Sequence, residues 1–492
     1  MAIESDVLVV GGGLAGATAA LSAAREGAAV RLVSHKDSTL RQASGLIDAL
    51  GYVPPSRAAG DAGPGSDPTL DPTAGRTGAL AERRPDPEGP LPNPFEQVDA
   101  LPDGHPYRLV GASALREGLA LFDDAAGDLY RGAHTERNAL VPTAGGTVKP
   151  TARYPASMAA GLASDDAPAL IVGFESLPEY DARQLAARLR AAGVPFPVAG
   201  VEIAFPGEFR DDARLTRLAG ALDRNEALGG DDAGRGTPAR EALADAVEPH
   251  LDAVGAVADG DGSDRRTAAR VGFPAMLGDE RAAAVRADLS DRLGAAVFEL
   301  PGGPPSIPGL RLEDRLFDAL DEAGVRVETG NPVVGRELDE DGRVAHVLVD
   351  RKGREIPYAA DAFVLATGGA VGKGIDADRE GVREPVLGCH VPHPDDRYEW
   401  FVDDAFGDQP YARFGVAADG ALRPLDADGA VQYPNVRVAG ATLGGADVAR
   451  EKSASGVSLA TGVVAGRGAA AVALDGANST DDAAGDMTEE NA

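Results

Sequence analysis

The stretch Asp6-Val-Leu-Val-Val-Gly11-Gly-Gly13-Leu-Ala-Gly16-Ala17 decides the fold of this chain. Residues 7–10 form a short β-branched apolar run, which predicts a buried parallel strand. The glycines that follow have the G-x-G-x-x-G spacing, and residues 17–25 predict the next helix. Here Gly11 permits the tight turn, Gly13 lets a phosphate approach the backbone, and Gly16 lets helix and strand pack closely. The predicted phosphate-contacting residues are Gly11, Gly12, Gly13, Leu14, Ala15 and Gly16.

Composition limits the possible classes of function. The 492 residues suffice for two or three domains, and 43% of them are hydrophobic. The formal net charge is −31, with 50 Asp and 28 Glu against only five Lys. Because the acids are spread along the whole chain, we interpret them as a solvated coat adapted to high salt, rather than as one acidic interaction surface. This charge balance argues against nucleic acid as a partner.

Cysteine and hydropathy patterns narrow the class further. Cys389 is the only cysteine, which excludes intrachain disulfides, cysteine-ligated zinc and iron–sulfur clusters held by this chain alone. We expect no membrane-spanning helix, since we find no run of about 18 apolar residues. The first strand begins at once, so we expect no signal peptide and a cytoplasmic location.

The second strand departs from the usual dinucleotide-binding pattern. Residues 28–34 predict this strand, which usually ends in an acid that holds the adenosine ribose. Here Ser34-His35-Lys36 stands at that point, and Asp37 is the nearest acid. The phosphate-binding part of the motif is therefore present. The sequence leaves open whether the chain also binds an adenosine ribose. We predict cofactor contacts at Ser34 and His35, although His35 could equally be a surface residue.

Further segments of small residues also predict contacts with a flavin. Ser44 and Gly45 predict a close approach of the backbone to a flavin ring, with an ordinary turn as the alternative. The apolar run 362–366 leads into Thr367-Gly368-Gly369, and a later strand leads into Gly440 and Gly445. Ser455-Gly456-Val457 opens an apolar helix, whose positive end we predict to face the flavin. Several such segments in order indicate a two-dinucleotide-type flavoprotein.

The sequence predicts an α/β fold with a Rossmann-like flavin domain and an inserted second α/β domain. The flavin domain is predicted to be discontinuous, comprising 1–50 and 301–473. Residues 51–100 are rich in Pro, Gly and Asp, and are predicted to be a mobile insertion. The inserted domain is predicted to be 101–300, and 474–492 to be an acidic disordered tail.

A set of motifs then carries a closer resemblance. They are Gly11-Gly-Gly-Leu-Ala-Gly16, Ala43-Ser-Gly45 with Asp48, His105-Pro-Tyr107, Pro304-Pro-Ser306 with Gly309-Leu-Arg311-Leu, Gly381-Val-Arg-Glu-Pro-Val-Leu-Gly388, Phe414-Gly-Val416 with Leu422-Arg-Pro424, and Gly440 with Leu443-Gly-Gly445-Ala-Asp447. Together and in this order they resemble the B subunit of the anaerobic glycerol-3-phosphate dehydrogenase family. The resemblance spans about residues 4–470, except for the expanded segment 52–100.

The resemblance implies oxidation of sn-glycerol 3-phosphate to dihydroxyacetone phosphate. It implies FMN as cofactor, while the glycine spacing would suit the pyrophosphate of FAD equally well. It also implies two partners, which are a larger flavin-containing A subunit and an iron–sulfur C subunit. The iron–sulfur partner would attach the complex to the inner face of the cell membrane and pass electrons to quinone.

Alcohol oxidation needs a base, and the substrate phosphate needs cations. The predicted catalytic residues are His390 as base, and Arg383 and Arg311 as phosphate ligands; Arg413 and Arg423 are further arginine candidates. Simple ion pairing is the alternative for these arginines, and a structural role is the alternative for His390. We predict no metal site.

Two alternatives to a catalytic flavin subunit remain open. The chain could only relay electrons or support the complex while its larger partner oxidises the substrate. It could also be an unrelated two-dinucleotide-type reductase, such as a fumarate- or ketosteroid-type enzyme.

Overall fold

The structure, a computed structural model, describes residues 2–36, 38–54, 88–207, 214–229, 236–255, 267–303, 306–405 and 407–489. The strands are β1 Ile3–Val10, β2 Val30–Ser34, β3 Tyr130–Arg131, β4 Ala139–Pro142, β5 Val148–Thr151, β6 Tyr154–Pro155, β7 Ala169–Phe174, β8 Val198–Ile203, β9 Ala227–Leu228, β10 Thr237–Pro238, β11 Arg270–Pro274, β12 Ala296–Leu300, β13 Arg326–Thr329, β14 Val333–Leu338, β15 Val344–Asp350, β16 Glu355–Leu365, β17 Asp376–Ala377, β18 Val382–Arg383 and β19 Val436–Val438. The α-helices are α1 Leu14–Arg25, α2 Pro106–Ala126, α3 Ala182–Ala191, α4 Leu215–Arg224, α5 Ala239–Val247, α6 Ala282–Leu293, α7 Ile307–Glu322, α8 Val448–Glu451 and α9 Ala454–Glu489.

The main sheet has the strand order β13-β2-β1-β16-β15-β14, and β19 also pairs with β16. β1 runs parallel to both β2 and β16, and β19 runs parallel to β16. The carboxyl ends of these strands therefore lie at one edge of the sheet, where α/β folds bind ligands. This topology confirms the predicted Rossmann-like α/β fold.

A second, parallel sheet has the order β12-β11-β7-β8. Its strands and flanking helices enclose apolar clusters largely separate from that of the main sheet. Strand β7 is buried along its whole length, as expected for a strand covered on both faces. The structure thus contains the predicted second α/β region.

The boundary of this second region differs from the prediction. Helix α2 begins inside the predicted inserted domain, yet Tyr107, Leu115 and Phe122 belong to the core of the main sheet. Gly111, with φ 82°, kinks the helix. The apolar stripe of α2 faces α9, and this packing assigns the helix to the flavin domain.

The predicted mobile insertion is also shorter than expected. Residues 55–87 lie outside the described part of the chain. Leu91, Phe95 and Val98, however, are buried in the main core. These residues lie in irregular chain and in a short 3-10 helix, Val98–Ala100, so no helix or strand period marks them in the sequence.

Helix α9 is the central helix of the main domain. A Cβ placed on Gly466 would lie 2.2 Å from the carbonyl oxygen of Ala19, so only glycine lets α9 approach α1 so closely. Ala454–Asp475 is apolar and long enough to span a membrane, with a mean hydropathy of 1.6, contrary to our expectation of no such segment. Because it packs on α1, α2 and β16, its apolarity is accounted for by the core.

The predicted disordered tail requires a correction. Helix α9 continues to Glu489, so 474–489 is helical, and 490–492 lie outside the described residues. Extending a helix that packing has already nucleated costs far less than starting one, and no proline interrupts this segment.

Candidate functional site

The predicted glycine segments meet at the carboxyl edge of the main sheet. A Cβ on Gly11, whose φ is +119°, would lie 2.1 Å from the carbonyl oxygen of Ala366. A Cβ on Gly440 would lie 2.6 Å from Cβ of Ala15. The first segment therefore touches both later segments. These contacts require residues without side chains, which explains why three distant parts of the chain share glycine.

The segment Thr367-Gly368-Gly369 completes this edge. The Gly368 N–H donates to Oγ1 of Thr442 over 2.9 Å. A Cβ on Gly369 would lie 2.9 Å from the carbonyl oxygen of Ala441. The three glycine segments thus form one continuous backbone surface, and their contacts with a cofactor stay a prediction.

The N-terminus of α1 is open toward this surface. Its N-cap is Gly13, which offers no side-chain cap, and its first turn contains no acid. Within the described part of the chain, a Cβ on Gly13 would meet only Oγ1 of Thr39, at 3.8 Å, whereas one on Gly16 would lie 1.9 Å from the Gly11 carbonyl oxygen. Gly16 is therefore needed for packing, while Gly13 keeps the helix end accessible. The first-turn N–H groups of Leu14, Ala15 and Gly16 are the donors that a phosphate would use.

These residues fit a flavin. Thr367 Oγ1 is buried and has no hydrogen-bond partner among the described residues. A buried hydroxyl without a partner is costly, and a polar atom of a bound cofactor would satisfy it. Together with the uncapped helix, it provides one polar contact and one anion cradle on the same surface.

The end of β2 lies beside this cradle. The Ser34 hydroxyl donates to the Lys36 carbonyl oxygen over 2.9 Å, and its oxygen lies 3.0 Å from where a Gly12 Cβ would stand. His35 is exposed. Asp37, the nearest acid in the sequence, lies outside the described residues. Contacts of Ser34 and His35 with a cofactor stay a prediction.

The Ser44–Gly45 segment packs against α7 and Tyr130. Gly45 has φ +78°, and a Cβ there would lie 2.8 Å from Cβ of Pro308 in α7. The Tyr130 hydroxyl donates to the Gly45 carbonyl oxygen over 2.7 Å, and Ser44 Oγ accepts the Leu46 N–H. Gly45 is therefore required for packing, and its approach to a flavin stays a prediction.

The N-terminus of α9 requires a correction. The Ser455 N–H donates to Oδ1 of Asp48 over 2.9 Å, and the Gly456 N–H donates to the Asp48 carbonyl oxygen over 2.7 Å. A Cβ on Gly456 would lie 2.1 Å from the Tyr107 hydroxyl, and Val457 is buried in the core. The helix end predicted to face the flavin is instead occupied by a carboxylate of the chain itself.

Asp48 is buried and also pairs with Nζ of Lys149 at 2.7 Å. We expect Asp48→Ala to lower the free energy of unfolding by about 2 kcal/mol, because the helix loses its cap and Lys149 loses its partner. Asp48→Asn is the matched control, since its amide oxygen can still accept the Ser455 N–H. Denaturant unfolding at fixed KCl measures both changes. Equal stability of Asp48→Ala and the wild type would contradict the capping role.

A buried hydrogen-bonded cluster lies behind the Gly440–Gly445 segment. His105 is fully buried; its Nδ1 accepts the Tyr107 N–H over 3.0 Å. Its Nε2 therefore carries the proton donated to Glu451 Oε2 over 3.1 Å. The Ser453 hydroxyl and the Asp447 N–H also donate to this carboxylate. The cluster explains the His105-Pro-Tyr107 and Asp447 motifs.

The pKa of Tyr107 is raised, first by burial and then by the negative charges of Asp48 and Glu451. The phenol therefore stays protonated, and its hydroxyl donates to the Ala49 carbonyl oxygen over 2.5 Å. Glu451 and Lys149 were absent from our predictions. No local signal marks them, because each finds its partner only in the folded chain.

Arg311 does not point to a substrate. Its guanidinium donates to both carboxylate oxygens of Glu299, at 2.7 and 3.0 Å, and to the Gly278 carbonyl oxygen. Both side chains are buried. The prediction of a catalytic or phosphate-binding Arg311 is therefore not supported, because the side chain is buried and both of its terminal nitrogens are bound to Glu299 or Gly278.

The other candidate arginines are also paired. Arg383 is half-exposed and lies 3.0 Å from Asp376 and 2.6 Å from Asp378. Arg413 pairs with Asp408 at 2.6 Å, and Arg423 with Asp419 at the same distance. The paired state of Arg383 matches the alternative interpretation of that residue, a simple ion pair.

His390 is partly buried, and its backbone N–H donates to Gln432. Its ring makes no hydrogen bond to the described residues. The neighbouring His393 has both ring nitrogens engaged, with the Val382 N–H and the Val391 carbonyl oxygen. Catalysis by His390 thus stays a prediction without a structural partner. Within the described ranges, no group of three or more His, Cys, Asp or Glu side chains could hold a metal ion.

A polar cleft of about 710 Å³ lies elsewhere, at the amino-end edge of the main sheet. Asp6, Arg31, Arg343 and Asp361 contribute to its lining. None of the predicted site residues lines it, and no glycine segment reaches it. The convergence of the glycine segments therefore remains the stronger indication of a cofactor site.

Comparison with known proteins supports this assignment. Residues 6–457 match the FAD binding domain family. The chain is 54% identical over 470 residues, 96% of this chain and 99% of the relative, to a Halobacterium salinarum protein named as the probable B subunit of anaerobic glycerol-3-phosphate dehydrogenase. The B subunit of the anaerobic glycerol-3-phosphate dehydrogenase of Yersinia enterocolitica is 28% identical, with 93% and 96% covered. The corresponding protein of Pectobacterium atrosepticum is 29% identical, with 92% and 96% covered.

The flavoprotein prediction is confirmed by the family match, which supports FAD and does not distinguish the FMN that the resemblance implies. The haloarchaeal relative agrees with the interpretation of the acidic surface as an adaptation to salt. This chain belongs to the FAD binding domain family and, within it, to the family of B subunits of anaerobic glycerol-3-phosphate dehydrogenase.

Proposed function

We propose that this chain is the flavin-binding B subunit of an anaerobic glycerol-3-phosphate dehydrogenase, which oxidises sn-glycerol 3-phosphate to dihydroxyacetone phosphate. The observation that carries the proposal is 54% identity over nearly the full length of a relative with that name. The meeting of the three glycine segments at the carboxyl edge supports it, because a flavin-binding chain needs this surface.

The residues that would hold the flavin follow from the geometry. The first-turn N–H groups of α1 would bind its phosphate, and Gly13 would let the phosphate approach. Thr367 Oγ1 would hydrogen bond to a polar atom of the cofactor. A bound flavin supplies a two-electron acceptor for the hydride of a secondary alcohol.

The complex would contain two further chains, a larger flavin protein and an iron–sulfur protein. With Cys389 as its only cysteine, this chain lacks the thiolates that a cluster needs, so electrons bound for quinone would leave through another chain. The iron–sulfur partner would hold the complex at the inner face of the cell membrane. A cytoplasmic, peripheral location of this chain is part of the same proposal.

One observation favours a relay role within that complex. All four candidate phosphate ligands, Arg311, Arg383, Arg413 and Arg423, are paired with carboxylates. In the relay version the larger partner would bind glycerol 3-phosphate, and this chain would only pass electrons on. The catalytic version instead requires one of these pairs to open when substrate binds.

Anaerobic substrate titration distinguishes the two versions. In the catalytic version, glycerol 3-phosphate bleaches the flavin of the isolated chain in molar KCl, because the substrate site lies in this chain. In the relay version, the same substrate bleaches the flavin only after the larger partner is added. Glycerol without phosphate is the control. Absence of bleaching in the reconstituted complex would contradict the proposed function itself.

The cofactor released by heat should be a flavin, and we expect FAD from the family match. Chromatography and mass measurement of the released compound test this expectation. Release of FMN would support the cofactor that the resemblance to the B subunit implies. It would also explain why Ser34 stands where an acid is usual. A preparation that folds but releases no flavin would contradict the assigned cradle.

A further inference from the structure

A surface loop of unusual composition lies between β18 and β19. Residues 394–414, which we name the aromatic loop, contain six of the 23 aromatic residues of the chain. These six are Tyr398, Trp400, Phe401, Phe406, Tyr411 and Phe414, of which Phe406 lies outside the described residues. Aromatic side chains make up only 5% of the sequence, so the loop concentrates the residue types that anchor protein interfaces.

Much of this apolar surface is exposed. The relative exposures are 70% for Tyr398, 54% for Tyr411, 47% for Phe401 and 41% for Val402. These four are a majority of the large hydrophobic residues that are exposed in the described chain. Folded chains rarely gather several such side chains in one place unless the surface is covered by a partner.

Hydrogen bonds and ring contacts hold the aromatic loop in place. The Trp400 indole N–H donates to the Pro394 carbonyl oxygen over 2.7 Å, and the ring packs edge-on against His393 and Phe414. The Tyr411 N–H donates to the Trp400 carbonyl oxygen over 2.9 Å. The exposed rings are therefore presented by an ordered scaffold, which lowers the entropy that binding would cost.

The aromatic loop continues directly into the candidate flavin site. The Gly445 N–H donates to the Arg413 carbonyl oxygen over 3.0 Å, and the Val416 N–H donates to the Thr442 carbonyl oxygen over 2.8 Å. A Cβ on Gly415 would lie 2.4 Å from the nitrogen of Gly444. A partner seated on the loop would thus lie beside the segment that contacts α1.

The charge of the loop selects the kind of partner. The aromatic loop contains six acids and two bases, Arg397 and Arg413, and Arg413 pairs with Asp408 within the loop. In a two-fold dimer through this face, a second copy would bring the same acids toward these acids, which is unfavourable. A different chain whose surface has apolar pockets surrounded by Lys and Arg would complement both the exposed aromatic side chains and the acidic charge of the loop.

We infer that the aromatic loop is the docking surface for another chain of the dehydrogenase, which would present a basic, apolar-pocketed face to it. This inference rests on the proposed function, because that function requires electrons to pass between chains. The larger flavin protein of the complex is the occupant to which we commit. The inference adds the position of its contact on this chain and the chemistry of the matching face.

The test uses the full chain with its flavin, and its probe is the purified larger flavin protein. In Tyr398→Ser/Tyr411→Ser, two exposed rings are removed without touching the scaffold. We expect the dissociation constant between this double variant and the larger flavin protein to be at least about 10-fold higher than that of the wild type. Sedimentation in molar KCl measures both constants. Val334→Ser/Leu338→Ser is the matched control, since each of these residues is 45% exposed on another surface. The control should bind within about two-fold of the wild type, because it lies outside the proposed face.

Several outcomes would overturn the inference. These are unchanged binding by the tyrosine double variant, no binding by the wild type, and a wild-type homodimer that the double variant abolishes. Flavin content and unfolding midpoint, measured in parallel, should equal those of the wild type. If the double variant misfolds, Phe401→Ser alone serves as the second variant. Substrate bleaching, measured on the mixed proteins at saturating concentration, tests the proposed function separately from docking.

Discussion

Glu299→Ala is expected to lower the free energy of unfolding by about 3–5 kcal/mol, because it leaves the buried Arg311 guanidinium without its carboxylate. Burial alone would raise the pKa of Glu299, but the charge and hydrogen bonds of Arg311 outweigh it and hold the pKa below its ordinary value. The pair joins β12 to α7, and α7 packs on the Gly45 segment. Its loss should therefore also loosen the junction between the two regions.

Denaturant unfolding at fixed KCl measures this change, and Arg311→Ala should have a comparable effect. Arg311→Met/Glu299→Leu is the matched control, since it removes both charges and fills the space with apolar atoms. We expect it to be more stable than either single variant. If Arg311→Ala kept full stability but raised the KM for glycerol 3-phosphate, the original phosphate-binding prediction would be restored.

The pair also sets a pH dependence. Because the pKa of Glu299 is lowered in the folded chain, its contribution to stability is present above the ordinary carboxyl pKa. That contribution is lost as the pH falls through the folded pKa. The acid limb of the stability curve should therefore be shallower in Arg311→Met/Glu299→Leu than in the wild type. Parallel limbs in the two proteins would contradict this account.

Gly13→Ala is expected to weaken flavin binding by about 10- to 100-fold while leaving the fold intact. Among the described residues, the added methyl group would meet only Thr39 Oγ1, at 3.8 Å, so we expect the apoprotein to accommodate it. The same methyl group would stand at the N-cap of α1, where the phosphate must approach. Fluorescence titration with FAD measures the dissociation constant, and denaturant unfolding of the apoprotein measures the fold.

Two further glycine variants separate the effect of an added methyl group on flavin binding from its effect on stability. Gly303→Ala is the control for an added methyl group, since no group of the described residues lies within 4 Å of that position. Gly16→Ala should instead destabilise the apoprotein, because its Cβ would lie 1.9 Å from the Gly11 carbonyl oxygen. Unchanged FAD affinity in Gly13→Ala would place the phosphate away from α1.

Much of the site could be predicted because its constraints are local. Gly11 and Gly16 perform separate steric tasks within six residues, and both tasks can be assigned from spacing. The convergence of Gly368 and Gly440 on the first glycine segment follows from parallel strands ending at one edge. By contrast, the burial of Leu91, Phe95 and Val98 could not be predicted, because they lie in a segment without an α-helix or a regular strand.

The sequence by itself determined the flavin-type Rossmann unit, the order of its glycine segments and the acidic coat. Each of these depends on residue type, near neighbours or overall composition. Only the tertiary structure decided which charges are used internally. Asp48 caps a helix 407 positions away, and Arg311 is held by Glu299 on another element. No periodicity marks such partners, because a buried charge is paired with whichever opposite charge the completed fold brings within reach.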